Sequence, residues 1–474
     1  MLPSRVKLAP DVLELSRGFR RIRREMDLPE GFPPDAEKAA DAATARAATA
    51  NSHVDRTEIE FVTIDPPGSR DLDQAFHAEQ GGSGFVVHYA IADPGVFIEP
   101  GDALDRESWS RGQTLYAPDE RVRLYPAALS EGAASLLAGE TRPAVLWELG
   151  LDARGELRET KVTRSLVRSR EQLTYAQAQE EIESRAARSS LQLLKTIGEL
   201  RQKLEKERGG IHLELPEQEI HLKDGSYELS FRGPLLVEEW NAQISLMTGM
   251  AAARLMLSHS VGLLRTLPPP KEEALEGLRR GAASMQLDWP EGATYQEFLG
   301  GLDTRLPQHA AMANIAMRLF QGAGYLAISG IAPKDVVQHA IAAPYAHVTA
   351  PLRRLADRYA NEVALSVCAG EVPPGWVNEA LPLLPKVMKD SRRRAGELDR
   401  RIVDYVEAVI LVPLVGETFE AVVIEAGEKS GTVQLKDPAV VAHCACPNLQ
   451  LGSEVGIKLV EAEPERGRVS FQVV

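Results

Sequence analysis

IDPPGSRDLDQAF, residues Ile64 to Phe76, sets three carboxylates, Asp65, Asp71 and Asp73, within nine positions between two runs that read as strands. Carboxylates that close repel one another and raise one another's pKa, so a fold accommodates their convergence most readily around a divalent cation. The stretch is therefore a candidate magnesium cradle. Glu58 to Ile64 alternates as a strand, Pro66, Pro67 and Gly68 impose a loop, and Leu72 to Ala78 reads as a second strand. A turn at Gln80 to Gly84 then leads into Phe85 to Ile91. On an extended second strand Asp71 and Asp73 share one face, because the side-chain period is two. The competing reading of this stretch alone is that Asp65 caps an Asp-Pro turn and the other two are solvated.

Outward from that stretch, 474 residues with 44% hydrophobic content are enough for several domains and a large core. A net charge of -14 argues mildly against a nucleic-acid partner, although several arginine clusters stand out locally. Cys368, Cys444 and Cys446 are too few for a disulfide framework, and the last two lack zinc-finger spacing, which fits a reducing cytoplasm. The longest apolar run, Ala408 to Val415, is interrupted by proline and too short to span a bilayer, and the amino terminus has no apolar signal core. The expectation is a soluble, cytoplasmic chain without a membrane partner. No phosphate-loop sequence is present, and Gly81, Gly82 and Gly84 read as a hairpin turn, so no nucleotide cofactor is expected.

The organisation changes twice. Asp11 to Met26 and Asp35 to Ala50 read as helices separated by Pro29, Gly31, Pro33 and Pro34, a small helical unit over residues 1–57 compatible with a helix-turn-helix arrangement. Its Arg17, Arg20, Arg21, Arg23 and Arg24 can touch phosphates or form a solvated face. Strands and turns fill residue 58 to about 150, and helices follow: a stripe of Leu193, Ile197, Leu200 and Leu204 ended by Gly209 and Gly210, the apolar Val237 to Met256, and Pro351 to Val367 with Thr349 or Ala350 as its cap. After Pro413, short strands at Phe419 to Glu425, Gly431 to Leu435, Glu454 to Val460 and Arg468 to Val473, with glycine turns, suggest a small barrel of the OB type over 413–474.

The second chemical signal is YAHVTAPLRRLAD, Tyr345 to Asp357. Placed in the first turn of a helix, Arg353 and Arg354 oppose the helix dipole, a placement that calls for a bound anion such as phosphate. The alternative pairs Arg354 with Asp357 and leaves Arg353 solvated. The run Arg392 to Arg394, Glu397, Asp399, Arg400 and Arg401 carries the same ambiguity.

Five segments in order, TIDPPGSRDLDQA (Thr63 to Ala75), YAIADPGVFI (Tyr89 to Ile98), TLYAPDERVRLYPAALS (Thr114 to Ser130), VEEWN (Val237 to Asn241) and HVTAPLRRLAD (His347 to Asp357), make the chain resemble the ribonuclease II family. The resemblance implies an α+β fold: a mixed α/β catalytic domain of the RNB type over 58–412, a small N-terminal helical domain, and a C-terminal OB-fold barrel that binds RNA. It implies a hydrolytic 3′-to-5′ exoribonuclease that degrades single-stranded RNA to nucleoside 5′-monophosphates with two magnesium ions, manganese being the alternative. By the same resemblance Asp65, Asp71 and Asp73 are the metal-binding aspartates, with Asp73 catalytic, and Arg353 is the arginine that neutralises transition-state charge. Tyr116 matches a tyrosine that stacks beside the nucleotide at the cleavage site, although it can equally be a core aromatic. Glu397 matches a helical glutamate lining the end of the channel, and Arg354 joins the RNA contacts.

Two departures qualify this. Where family members usually carry a fourth aspartate, this chain has Gln74, whose neutral amide oxygen can ligate magnesium without adding charge. In place of the two cold-shock barrels common in relatives stands the helical unit, as in a short form of the family. Two other readings stay open: a catalytically weakened RNA-binding regulator, motivated by Gln74 and the acidic net charge, and a metal-dependent phosphoesterase of a small molecule.

Overall fold

Phe61, Val62, Thr63 and Ile64 are all buried, so this β-branched and aromatic run forms an interior strand, β1 (Phe61–Asp65). The computed structural model describes residues 12–47, 53–184, 188–211, 217–223, 226–303, 306–331, 336–427, 429–435, 440–447 and 449–474. β2 (Gln74–Gly81) and β3 (Gly84–Ala92) form a hairpin in which Gly81 faces Gly84 and Gly82 supplies the positive φ, +58°, that the tight loop requires. β4 (Thr141–Leu151) lies antiparallel to β3. The 18-residue β5 (Leu157–Thr174) pairs with β4 through Arg168 and then, from Ser169 to Thr174, runs parallel to β1. Both edges of the sheet are thereby joined, and it curls back on itself.

The helices bring the arginine-bearing segment to the end of β1. They include α1 (Val12–Glu25), α2 (Pro34–Ala47), α3 (Ala103–Arg111), α4 (Ser189–Glu207), α5 (Leu236–Ser258), α6 (Leu355–Cys368) and α7 (Leu384–Leu411). Expected residues Asp11 and 48–50 of the first two helices lie outside the described residues. α4 does not bury the expected stripe. Its inward residues are Leu191, Leu194, Ile197, Gly198, Arg201 and Glu205, because Trp240 of α5 packs on Gly198 so closely that a Cβ there would meet the Trp240 Cβ at 2.5 Å. That close approach fixes which face of α4 turns inward.

At the carboxyl end, strands β6 (Thr418–Ala426), β7 (Gly431–Leu435), β8 (Val441–Cys444), β9 (Glu454–Glu463) and β10 (Arg468–Val473) close into a barrel in the order β6-β7-β8-β10-β9. The whole is the mixed α/β body with a terminal OB-like barrel anticipated above. The N-terminal helices join different cores. Ala36, Ala40 and Ala43 of α2 belong to the core around the sheet, whereas Leu15, Phe19 and Ile22 of α1 pack with Leu398, Ile402 and Tyr405 of α7 in the core that contains the barrel interior.

Candidate active site

The acidic stretch is held as a loop. Leu72 N–H donates to Ser135 Oγ at 3.0 Å, and the Leu72 carbonyl accepts from Leu136 N at 3.1 Å. With its peptide groups engaged there, Leu72 is withdrawn from the ladder, and the second strand begins at Gln74 rather than at Leu72. Asp71 and Asp73 therefore precede the strand instead of sharing its face. Asp73 is 3% exposed; its Oδ1 accepts from Leu352 N at 2.8 Å and its Oδ2 from Arg353 Nε at 3.2 Å. Asp71 accepts from Arg121 Nη1 at 2.6 Å and from the Tyr116 hydroxyl at 3.1 Å. Asp65 ends β1, and its Oδ2 is buried without a hydrogen-bond partner.

Burial pushes the Asp65 carboxyl up to about 7, with the Asp71 charge adding to the effect and Arg353 opposing it. Burial likewise raises Asp73 to about 7, against the pull of Arg353 and the Leu352 N–H. A carboxylate raised this way binds a proton or a cation more readily than one free in water.

The arginine segment also differs from the expected helix. Residues 351–353 form a turn, Arg354 is extended with φ -134° and ψ 123°, and α6 starts at Leu355. Neighbouring backbone fixes this shape: Thr114 N donates to the Arg353 carbonyl at 2.9 Å and Leu355 N to the Gly112 carbonyl at 2.9 Å. Asp357, fully buried, accepts from Ala350 N at 2.8 Å and takes a two-pronged bond from Arg354 at 2.9 and 2.8 Å. Both arginines thus stand before the helix, and Asp357 in its first turn offsets the Arg354 charge there. Arg354 is the structural partner of Asp357, and Arg353, 44% exposed, reaches the aspartates.

Tyr116 sits on a two-stranded hairpin, Leu115–Tyr116 against Arg121–Val122, with Tyr116 directly opposite Arg121. Its ring is 42% exposed while its hydroxyl meets Asp71, a placement unlike that of a core aromatic. The role of Arg121 was not anticipated, although the Ala-Pro-Asp-Glu turn between Leu115-Tyr116 and Arg121-Val122 places residues 116 and 121 across from one another. The hairpin is clamped from outside by Arg23 of α1, which bonds Asp119 at 2.6 and 2.9 Å and Glu120 at 3.1 Å. Two other α1 arginines form surface pairs, Arg21 with Glu465 and Arg24 with Glu30 at 2.7 Å. Gln74 donates its side-chain N–H to the Thr349 carbonyl, leaving its oxygen as the remaining polar atom. Glu397 pairs with Arg401 on α7 at 3.0 Å and is not bonded to the aspartates.

A cleft of about 780 Å³ adjoins the segment that feeds the arginine turn. Its lining includes Arg265, Tyr325, Lys386, Lys389, Arg392 and Arg393, and no Asp or Glu among the described residues. Tyr325 bonds His347 at 2.6 Å, and Arg265 N donates to the Tyr345 carbonyl at 2.8 Å, so the cleft wall is tied to residues 345–353. Burial, reinforced by the surrounding arginines, holds His347 well below its ordinary pKa, keeping it neutral.

Among the described residues no three His, Cys, Asp or Glu side chains stand in a metal-ligand cluster. The donor chemistry suits a hard divalent ion: carboxylate oxygens at Asp65, Asp71 and Asp73, two of the groups raised to about 7, and one buried Asp65 oxygen without a partner.

Residues 53–367 match the RNB domain family, and residues 417–474 match the RNase II-type exonuclease C-terminal S1 domain. The chain is 30% identical over 320 residues to exosome complex exonuclease RRP44 homolog A of Arabidopsis thaliana, covering 64% of this chain and 34% of that protein. It is 26% identical over 402 residues to ribonuclease R of Escherichia coli, covering 78% of this chain and 48% of that one. It thus spans between a third and a half of the length of these relatives. Among solved structures, apo Mycoplasma genitalium RNase R superposes with a TM-score of 0.87 at 18% identity over 97% of this chain and 78% of that one. Yeast Ssd1, described as a pseudonuclease, superposes at 0.68 with 16% identity, covering 94% of this chain and 58% of that one. At those identities the likeness is one of fold.

Proposed function

The chain belongs to the RNB-domain exoribonuclease family, and from that premise we propose that it removes nucleoside 5′-monophosphates hydrolytically from the 3′ end of single-stranded RNA. The observation that carries this reading is the arginine turn, which sets Arg353 on the Asp73 carboxylate beside a cleft lined by cations. The cleft holds the phosphate backbone, and Tyr116 offers an exposed ring for stacking on bases of any identity. Asp65, Asp71 and Asp73, with the Gln74 oxygen, would hold magnesium, or manganese in its place. Bound there, the metal ions would supply an acidic water and neutralise charge on the phosphodiester oxygens. Arg353, half exposed and guanidinium-forked, adds charge neutralisation at the same phosphate. RNase R of Mycoplasma genitalium has been solved in complex with single-stranded and with double-stranded RNA, which supports an RNA substrate here.

The test incubates 5′-labelled single-stranded RNA with the protein and magnesium, then repeats it with chelator and with Asp73→Asn. Shortening from the 3′ end that disappears in both controls supports the enzyme. One observation favours a second reading, a regulator that binds RNA without cutting it: Gln74 stands where relatives place a fourth carboxylate, and its amide is bonded to Thr349. Tight binding with no shortening at any metal concentration selects that reading. If Gln74 is a ligand, Gln74→Asp lowers the magnesium concentration needed for half-maximal rate; an unchanged requirement removes it from the ligand set.

A further inference from the structure

A second cavity, of about 650 Å³, opens between the C-terminal half of α4, α5 and the turn that begins β5. Four guanidiniums, those of Arg158, Arg201, Arg208 and Arg254, line it together with the carboxylates of Glu156 and Glu207. Arg201 lies on the buried face of α4, 6% exposed; its Nη1 donates to the Gly155 carbonyl at 3.0 Å, and its Nε is buried without a hydrogen-bond partner. Arg208 donates Nε to the Ile341 carbonyl at 2.7 Å, and its Nη2 is buried without a hydrogen bond, Glu205 standing 3.8 Å away. Arg254 reaches only the Leu157 carbonyl, at 3.4 Å.

Burying a guanidinium with a donor unpaired is costly, and the unpaired Arg201 Nε and Arg208 Nη2 leave hydrogen-bond donors for an anion. Carboxylates offset this charge only in part: Glu156 and Glu207 stand among four arginines in the lining, and Glu205 lies 3.8 Å from Arg208. Glu205 accepts from Gln243 at 2.7 Å, Glu156 pairs with Arg158 at 2.7 Å, and Glu207 with Arg154 at 3.3 Å. The lining also includes Met250 and Leu257 of α5, apolar side chains, one with a polarisable thioether, that suit an aromatic ring. A ligand that satisfies both parts of the lining carries a compact multivalent anion on one end and a flat aromatic body on the other. The cavity size lies in the range of sites for small organic ligands.

We propose that this cavity binds a nucleoside 5′-monophosphate, its phosphate against Arg201 and Arg208 and its base against Met250 and Leu257. The choice of ligand rests on the proposed exoribonuclease reading, since mononucleotides are that reaction's product; the anion site does not. The experiment is equilibrium dialysis of the full chain, in chelator, against AMP, UMP, inorganic phosphate and adenosine. Chelation keeps metal-dependent binding at the aspartates out of the readout, so a failure of the nuclease assay leaves this one unaffected. Saturable AMP and UMP binding is expected, with phosphate and adenosine each weaker by at least about tenfold. Arg201→Gln and Arg208→Gln are expected to weaken AMP by a similar factor, and Asp73→Asn to leave it unchanged. Arg254→Gln, at an exposed position, provides the same test without disturbing the interior. Absence of saturable binding at millimolar AMP overturns the proposal. So does binding that Arg353→Ala abolishes and the three arginine variants leave intact, or phosphate binding as tight as AMP.

Discussion

Arg353 and Asp73 meet at 3.2 Å, and a pair in which one member is exposed and the other buried is suited to exchanging partners when a phosphate arrives. Removing the exposed member takes away charge stabilisation that matters most as charge develops. Arg353→Ala is therefore expected to lower turnover by roughly 10²- to 10³-fold while KM changes far less. Single-turnover kinetics on labelled RNA separates the two, and an effect confined to KM would assign Arg353 to binding alone. The acids carry a second consequence. Asp65 and Asp73 are raised to about 7 when folded, against about 4 in an unfolded chain. Between those values these two groups bind more protons in the folded protein than in the unfolded one, so their contribution to stability is full below about pH 4 and falls as pH rises toward 7, by up to about 1.4 kcal/mol per pH unit for each group. Asp65→Asn removes one such group, whose Oδ2 has no partner. In chelator its Tm is expected to exceed that of the parent above pH 7 and to match it near pH 4; a lower Tm at pH 8 would refute the buried-carboxylate account.

At the scale of elements, what positions these residues is a set of loops pinned by distant backbone, and that is where sequence reading reached its limit. The strands around the acidic stretch were legible because β-branched runs and a Gly-rich hairpin turn are local signals. The interior helix α5 was legible from its apolar length. The start of α6 was not, because Gly112 and Thr114 hold Arg353 and Leu355 from more than two hundred positions away, and nothing local announces that. Nor could periodicity say that α1 and α2 join separate cores, or that Arg23 braces the hairpin bearing Tyr116 and Arg121. That brace is testable. Arg23 is 7% exposed against Asp119 at 15%, and breaking a buried pair leaves an uncompensated charge, so Arg23→Ala is expected to cost about 3–5 kcal/mol in urea unfolding. It should also slow cleavage by releasing the Asp71 contacts of the hairpin. Asp119→Asn in the Arg23→Ala background should add little further loss, whereas full additivity would show that the two side chains do not act together.

For the whole molecule the net charge of -14 points away from RNA, yet the charge is unevenly spread. Cations gather in the cleft beside the arginine turn, where Lys386, Lys389, Arg392 and Arg393 of α7 face Arg265 across from Tyr325. The same helix carries Leu398, Ile402 and Tyr405 into the core shared with the barrel and α1, so cleft and barrel are mounted on one rigid element. A strand of RNA bound along that cleft displaces condensed counterions, and the dependence of affinity on salt counts the phosphates engaged, at roughly 0.7 per phosphate for a single strand. With Asp73→Asn used to prevent cleavage, the slope of log affinity against log salt measures this directly. Lys389→Gln and Arg392→Gln are each expected to reduce the slope by about 0.7 and to weaken binding to the same extent for every sequence tested. A slope unchanged in both variants, with affinity also unchanged, would move the RNA path out of this cleft, however well its charge suits a phosphate chain.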